Sequence, residues 1–215
     1  MKYYLNGIDF ATYGVRVSAS SGAIDGLKLK EPKEMDWDGY HGKVVALSAP
    51  RYQHRELTLE CFIVQPSKVD VIQKANDFMR ELSKAGTQRL MIDTEEAKPL
   101  VYEVYQNGGF SIKKRWRSGQ NVGEFTLKLI EPEPVKRVLK HIRTGDPTKT
   151  ASVTLTSNKM VTIYWGDGTK TVVSGTAQTR THDYATNGTY YIILAGVIEE
   201  VTAFSTNATT VWSIL

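Results

Sequence analysis

Few side chains in this chain could do chemistry, and the clearest candidate lies late in it. Tyr164-Trp165-Gly166-Asp167-Gly168-Thr169 sets a single carboxylate between two glycines after an aromatic run. With nearby carbonyls Asp167 could hold Ca²⁺, but a calcium site draws on about six to eight oxygens and usually several acids. The expected role of that side chain is instead to accept hydrogen bonds from backbone N–H groups of its own turn. Asp36 and Asp38, beside Trp37, Tyr40 and His41, form a dense acidic cluster. An acid–base pair is the chemistry such a cluster could supply; a solvent-exposed or subunit-facing loop is the simpler expectation. His41, His54 and His141 are scattered, and His182 is expected to make a structural hydrogen bond. No H-E-x-x-H, P-loop, G-x-S-x-G or Rossmann fingerprint occurs. The reading assigns no catalytic, cofactor-binding or metal-binding residue.

Three further groups carry chemistry that could serve binding. Tyr164, Trp165, Tyr184 and Tyr190 could make a sugar platform, although such rings more often fill a sandwich core. Lys113-Lys114-Arg115-Trp116-Arg117 combines cations with an aromatic, which suits phosphates and stacked bases. On a strand those side chains alternate between faces, so a solvated or subunit-facing edge is expected there. Cys61 is the only cysteine, which excludes an intramolecular disulfide and a Cys-rich metal site. It falls in phase with inward-pointing residues and reads as inert core.

The elements that must position these residues read as mostly β. The 215 residues give room for one large domain or two small ones. A hydrophobic fraction of 41% and a charged fraction of 23% fit an ordinary globular chain, and no apolar run reaches transmembrane length. The polar start MKYYLNGIDF is not a signal peptide. A net charge of +4 does not by itself indicate nucleic acid. Its excess positive charge lies before Ala151; beyond that point acids slightly outnumber bases and Ser, Thr and Asn dominate. The stretch EPEPVKRVLKHIRTGDPTKT between the two regions reads as a strand end, a basic connecting segment and a linker. Residues 1–144 are thus expected as one domain, 145–150 as the linker and 151–215 as a second domain.

Within the first region, Arg55–Val64 places Leu57, Leu59, Cys61 and Ile63 on one face, and Gly123–Glu131 does the same with Phe125, Leu127 and Leu129. Leu100–Gln106 and Phe110–Trp116 flank Asn107-Gly108-Gly109 and predict a hairpin. Arg89–Asp93 and Lys43–Ser48 are shorter strand candidates. One helix is predicted from a Ser67 cap, with Val71, Ala75, Phe78 and Leu82 as its sheet-facing stripe, Ile72 and Met79 widening it, and Gly86 as its C-terminal cap.

Leu5-Asn6-Gly7, Asp38-Gly39-Tyr40-His41-Gly42 and Arg55-Glu56-Leu57-Thr58-Leu59 come in that order, followed by the helix, a strand near Leu90–Asp93, a hairpin and EFTLKLIEPEPVKR. Over residues 1–140 this resembles the N-terminal domain of phage distal tail (Dit) proteins and the tail-tube-like fold of siphophage baseplates. The resemblance departs at Leu5, which stands at the usual opening aromatic, and in the C-terminal extension. It implies an antiparallel β-sandwich or barrel with one helix and a homo-oligomeric, commonly hexameric, ring below the tail tube. The implied partners are the tail tube, the tape-measure protein and tail-hub or receptor-binding proteins, around a channel for DNA. The implied place is the virion tail tip of a phage or prophage, assembled in the bacterial cytoplasm, with no cofactor, no membrane and no sequence-specific nucleic acid.

In the C-terminal region, VTLTSNKMVTIYWGDGTKTVV predicts a strand, a turn at Ser157-Asn158-Lys159, and a second strand entering a tight hairpin at Asp167-Gly168. Short β segments follow at Thr181–Gly196, EEVTAF and TVWSIL. Trp165-Gly166-Asp167-Gly168-Thr169, His182-Asp183-Tyr184 and Gly188-Thr189-Tyr190 together resemble a PKD-type, immunoglobulin-like domain. That implies a spacing or adhesion module without catalysis, so the alternative to a tail-tip role is a glycan- or host-surface-binding module, and a hydrolase comes third.

Overall fold

The computed structural model describes residues 1–117 and 119–215. Its elements run β1 (Lys2–Leu5), β2 (Ile8–Asp9), β3 (Val15–Ser21), β4 (Glu34–Asp36), β5 (Lys43–Val45), β6 (Arg55–Gln65), α1 (Lys68–Leu82), β7 (Gln88–Asp93), β8 (Leu100–Gln106), β9 (Lys113–Arg117) and β10 (Gln120–Glu131). Then come β11 (Lys136–Arg143), β12 (Thr150–Tyr164), β13 (Lys170–Asp183), β14 (Gly188–Gly196), β15 (Ala203–Thr206) and β16 (Thr209–Trp212). Among the described residues the chain is mainly β, with antiparallel pairing throughout and one α-helix. No helix among the described residues is long and apolar enough to cross a membrane.

The first sheet has the order β2-β1-β7-β8-β10-β6-β3, with β9 also on β10. Its spine is β6 against β10, paired from Asn121↔Gln65 to Glu131↔Arg55. Period-two alternation decides this pair: Leu57, Leu59, Cys61, Ile63, Phe125, Leu127 and Leu129 are all buried in one core. Helix α1 lies over that face with Val71, Ala75, Phe78 and Leu82 buried. Ser67 caps it, its side chain accepting from the Asp70 amide at 3.2 Å. The helix stops at Leu82 with Ser83 as its cap, short of the expected Gly86, and Ile72 faces solvent.

The expected hairpin between Leu100–Gln106 and Phe110–Trp116 is not made. Strand β8 pairs with the far end of β10, whereas β9 pairs with its near end, Lys113↔Glu124 to Arg117↔Gln120. The intervening glycines carry the chain across so that Phe110 stacks on Phe125 with centroids 4.5 Å apart. That aromatic contact decides the path over the local turn signal. Of Lys43–Ser48, only Lys43–Val45 is a strand.

The second sheet has the order β13-β12-β14-β11-β16, with β15 also on β12. Strand β11, read from composition as a basic connection at the end of the first domain, pairs with β14 on one side and β16 on the other. The physical reason lies in its apolar positions: Val138 and Leu139 are fully buried between those neighbours, and the charges that dominate its composition are mostly at its margins. Residues 145–150 therefore join two strands of one sheet, and the sheet-to-sheet crossing falls at 132–135. The expected turn at Ser157–Lys159 is a bulge inside the continuous strand β12, where register to β13 shifts between Leu155 and Val161.

Candidate functional site

The Tyr164–Thr169 turn is closed by Trp165 N–H donating to the Thr169 carbonyl at 3.0 Å. It is a longer loop than the two-residue hairpin expected. Gly166 and Gly168 take the positive φ values, 101° and 91°, and Asp167 does not. A side chain at Gly166 would bring Cβ within 2.8 Å of the Tyr191 carbonyl, so glycine lets the loop lie against β14.

Asp167 spends both carboxylate oxygens inside the fold. Oδ1 accepts from the Thr169 amide at 3.0 Å and its hydroxyl at 2.6 Å, and Oδ2 lies 2.6 Å from His182 Nε2. Partial burial pushes this carboxyl up, but the Thr169 donors and His182 together hold it below the usual range. His182 stacks on Trp165 and meets Tyr184 edge-on; Tyr184 stacks on Tyr190 at 3.7 Å and donates its hydroxyl to the Trp165 carbonyl at 2.7 Å. Trp165 is only 1% exposed, and its indole donates to Thr171 Oγ1 at 3.0 Å. With Trp165, Tyr184 and Tyr164 buried, the four rings do not form an exposed sugar platform. Among the described residues no three His, Cys, Asp or Glu side chains converge as metal ligands. The cluster fastens a loop. Cys61 is likewise buried, its thiol pushed up to about 12 by desolvation.

The acidic cluster has the opposite surroundings. Residues 24–50 leave the first sheet after β3 and return at β6 as a two-stranded arm. Its base is held by Gln53 N–H to the Lys28 carbonyl at 2.8 Å and Lys30 N–H to the Arg51 carbonyl at 2.7 Å. Farther out, β4 pairs with β5 from Glu34↔Val45 to Asp36↔Lys43, and Tyr40 N–H closes the tip on the Trp37 carbonyl. Every residue of β4 and β5 is exposed, Trp37 is 52% exposed and Tyr40 74%. Asp36 and Asp38 thus sit on an exposed arm, and the four histidines stay apart from them except His41 in the same tip.

The arm is anchored by residues that the sequence did not single out. Buried Arg55, the first residue of β6, donates to the carbonyls of Gly22, Ala23 and Asp25 at the arm's root. Its Nε reaches Glu131 at 3.2 Å, and Glu131 also accepts from Lys136, the first residue of β11. Tyr102 donates to the Ala23 carbonyl at 2.8 Å and puts its ring 4.0 Å from Lys136 Nζ. Burial pushes Glu131 up and holds Lys136 down to about 8, each against the attraction of its partner. Lys136 stands in phase with Val138, so its inward position was readable from alternation; its partners were not. Elsewhere between the sheets Arg89 joins Glu103 to the Tyr191 carbonyl, Trp212 donates to the Pro99 carbonyl at 3.0 Å, and Val101 packs with Val138, Ile193 and Val211.

No family model and no curated protein matches the chain. Among solved structures it is similar to SPP1 Dit, described as a paradigm of hub adsorption apparatus in Gram-positive infecting phages, at 14% identity and a TM-score of 0.50. The match covers 97% of this chain and 84% of that one, so the likeness runs through both sheets. The fold of this chain is Dit-like.

Proposed function

We propose that the chain is a structural protein of a phage tail tip, a ring-forming subunit that joins the tail tube to tip components. The observation that carries this reading is the Dit-like fold over 97% of the chain. Two features support it. The arm presents Met35, Trp37, Tyr40, Val44 and Leu47 to solvent, a run of apolar surface that a lone globular protein rarely keeps. The candidate chemical residues are either consumed in local bonds, as Asp167 and His182 are, or isolated on the arm, as Asp36 and Asp38 are. In this reading the work is done by interface geometry, with residues 1–131 as the oligomerising unit and 136–215 as the PKD-like, immunoglobulin-like unit it carries. A closed cyclic assembly is the expected oligomer.

Electron microscopy tests this directly. Purified chain should show rings, and gold-labelled antibody to the chain should mark the tail tips of virions from the encoding phage. A chain that stays monomeric at high micromolar concentration and is absent from tail tips would overturn the reading.

A further inference from the structure

Two exposed surfaces of this molecule carry opposite charge, and no ion pair joins them within one copy among the described residues. The tip of the arm carries Glu34, Asp36 and Asp38 around Trp37 and Tyr40; among the described residues only Glu34 of these three is paired, with Lys43 at 2.7 Å. Strand β9 is its opposite. Lys113, Lys114 and Arg117 are exposed and have no ion pair among the described residues, while Arg115 is held by Glu124 at 3.0 Å. Only β10 pairs with β9 among the described residues, so its outer edge keeps free backbone donors and acceptors. Such an edge accepts another strand.

The register of the first sheet puts these surfaces at opposite ends. The arm is rooted where Arg55 pairs with Glu131, and β9 turns onto β10 at Gln120, beside the Gln65 end. Lys113 lies opposite Glu124, which pairs with Phe62, so seven residues along β6 separate it from Arg55 at the root of the arm, a span of roughly 23 Å in extended chain. A tip at one end and its complement at the other favour a contact between copies that is head-to-tail. Contacts of that kind generate rings when the rotation closes.

We infer that the β4–β5 arm of one copy docks along the β9 edge of the next copy, acidic tip against basic strand. This rests on the ring-forming reading above and names the contact that makes the ring. Trp37 and Tyr40 supply the buried area. The charges set register and encounter rate, since exposed ion pairs alone hold weakly. Association through this contact falls as salt rises.

Charge reversal separates this contact from the ring reading itself. Sedimentation velocity would compare the full wild-type chain with an arm-reversed variant, Asp36→Lys with Asp38→Lys, and an edge-reversed variant, Lys113→Glu with Lys114→Glu. Each reversed chain is expected to self-associate about tenfold more weakly or worse, the scale of losing one or two charged interface contacts. Mixing the two in equal amounts restores association, because each reversed surface then finds a complement. Variants that associate like wild type, or a mixture that stays dissociated, would overturn the contact while leaving the ring reading intact. A wild-type chain that never associates removes both. Carbodiimide cross-linking of mixed light- and heavy-nitrogen wild-type chain supplies a readout independent of any variant's folding. Intermolecular links from Asp36 or Asp38 to Lys113 or Lys114 are expected, and links confined to other surfaces would overturn the proposal.

Discussion

Trp37-Asp38-Gly39-Tyr40-His41-Gly42 and Tyr164-Trp165-Gly166-Asp167-Gly168-Thr169 are built from nearly the same residue types. One is a bare tip; the other is a packed corner. In the corner a histidine from β13 caps the aspartate and covers the tryptophan, and Tyr184 and Thr171 satisfy the remaining polar groups. At the tip no second element arrives, and Trp37 and Tyr40 stay in water. Residue composition alone therefore does not distinguish a fastening from a contact surface. What distinguishes them is whether neighbouring strands bring partners to the loop.

The tryptophans give the widest separation. Trp165→Ala should destabilise the fold by about 3–5 kcal/mol, the scale of emptying an aromatic core site. Trp37→Ala should change stability by no more than about 0.5 kcal/mol, as exposed positions do. Chemical denaturation of the two variants checks both, and similar losses would erase the distinction between corner and tip.

The glycines sharpen it. Gly166 and Gly39 both have positive φ, 101° and 93°, yet an added Cβ meets the Tyr191 carbonyl at Gly166 and nothing within 4 Å at Gly39. Gly39→Ala should cost on the order of 1–2 kcal/mol of local arm strain, without lowering the melting temperature of the core. Gly166→Ala should cost more than that, because strain and the clash with β14 add. Thermal melts of the two variants rank them; a milder effect at Gly166 would mean the loop is free to lift off.

The smallest expected effect is at the carboxylates. Asp167→Asn should cost about 1 kcal/mol, since an amide keeps one acceptor but cannot serve both Thr169 and His182 as the carboxylate does. The folded-state pKa of Asp167 is lowered, so its stabilisation is complete above the unfolded carboxyl value and is lost as pH falls through the folded one. Wild type should therefore lose an increment of stability in acid that Asp167→Asn lacks. If the corner instead held calcium, chelator would lower the wild-type melting temperature and leave Asp167→Asn unmoved; no chelator effect is expected.

What could be read in advance followed from periodicity. Strands β6 and β10 and the helix α1 were legible because each presents an apolar face to the first core, and the Ser67 cap is a local signal. Strand β9 was legible as a strand but not in its pairing, because Phe110 binding Phe125 is a contact between residues distant in sequence. Strand β11 was hidden by its charges: alternation puts Lys136 in phase with buried Val138, but the partner that lets a lysine stand there, Glu131, belongs to another strand. At the corner, Asp167 was legible as a residue serving its own turn; the His182 contact was not, because His182 pairs with Ala151 at the end of β12 away from that turn. The arm was legible only as an acidic loop, since length and exposure are properties of what fails to pack against it.

The Arg55 guanidinium has a mechanical consequence. It holds three carbonyls at the root of the arm, its carboxylate partner ends β10, and that same carboxylate grips the first residue of β11. A pull on the arm does not end in a slack loop. It passes through buried charges, which resist separation strongly because they cannot be left bare in a dry interior, and arrives where one sheet hands over to the other. Whatever tugs on the hairpin is felt, through Arg55 and Tyr102 and through the Arg51–Glu200 ion pair, as tension at the joint between the two halves of the molecule.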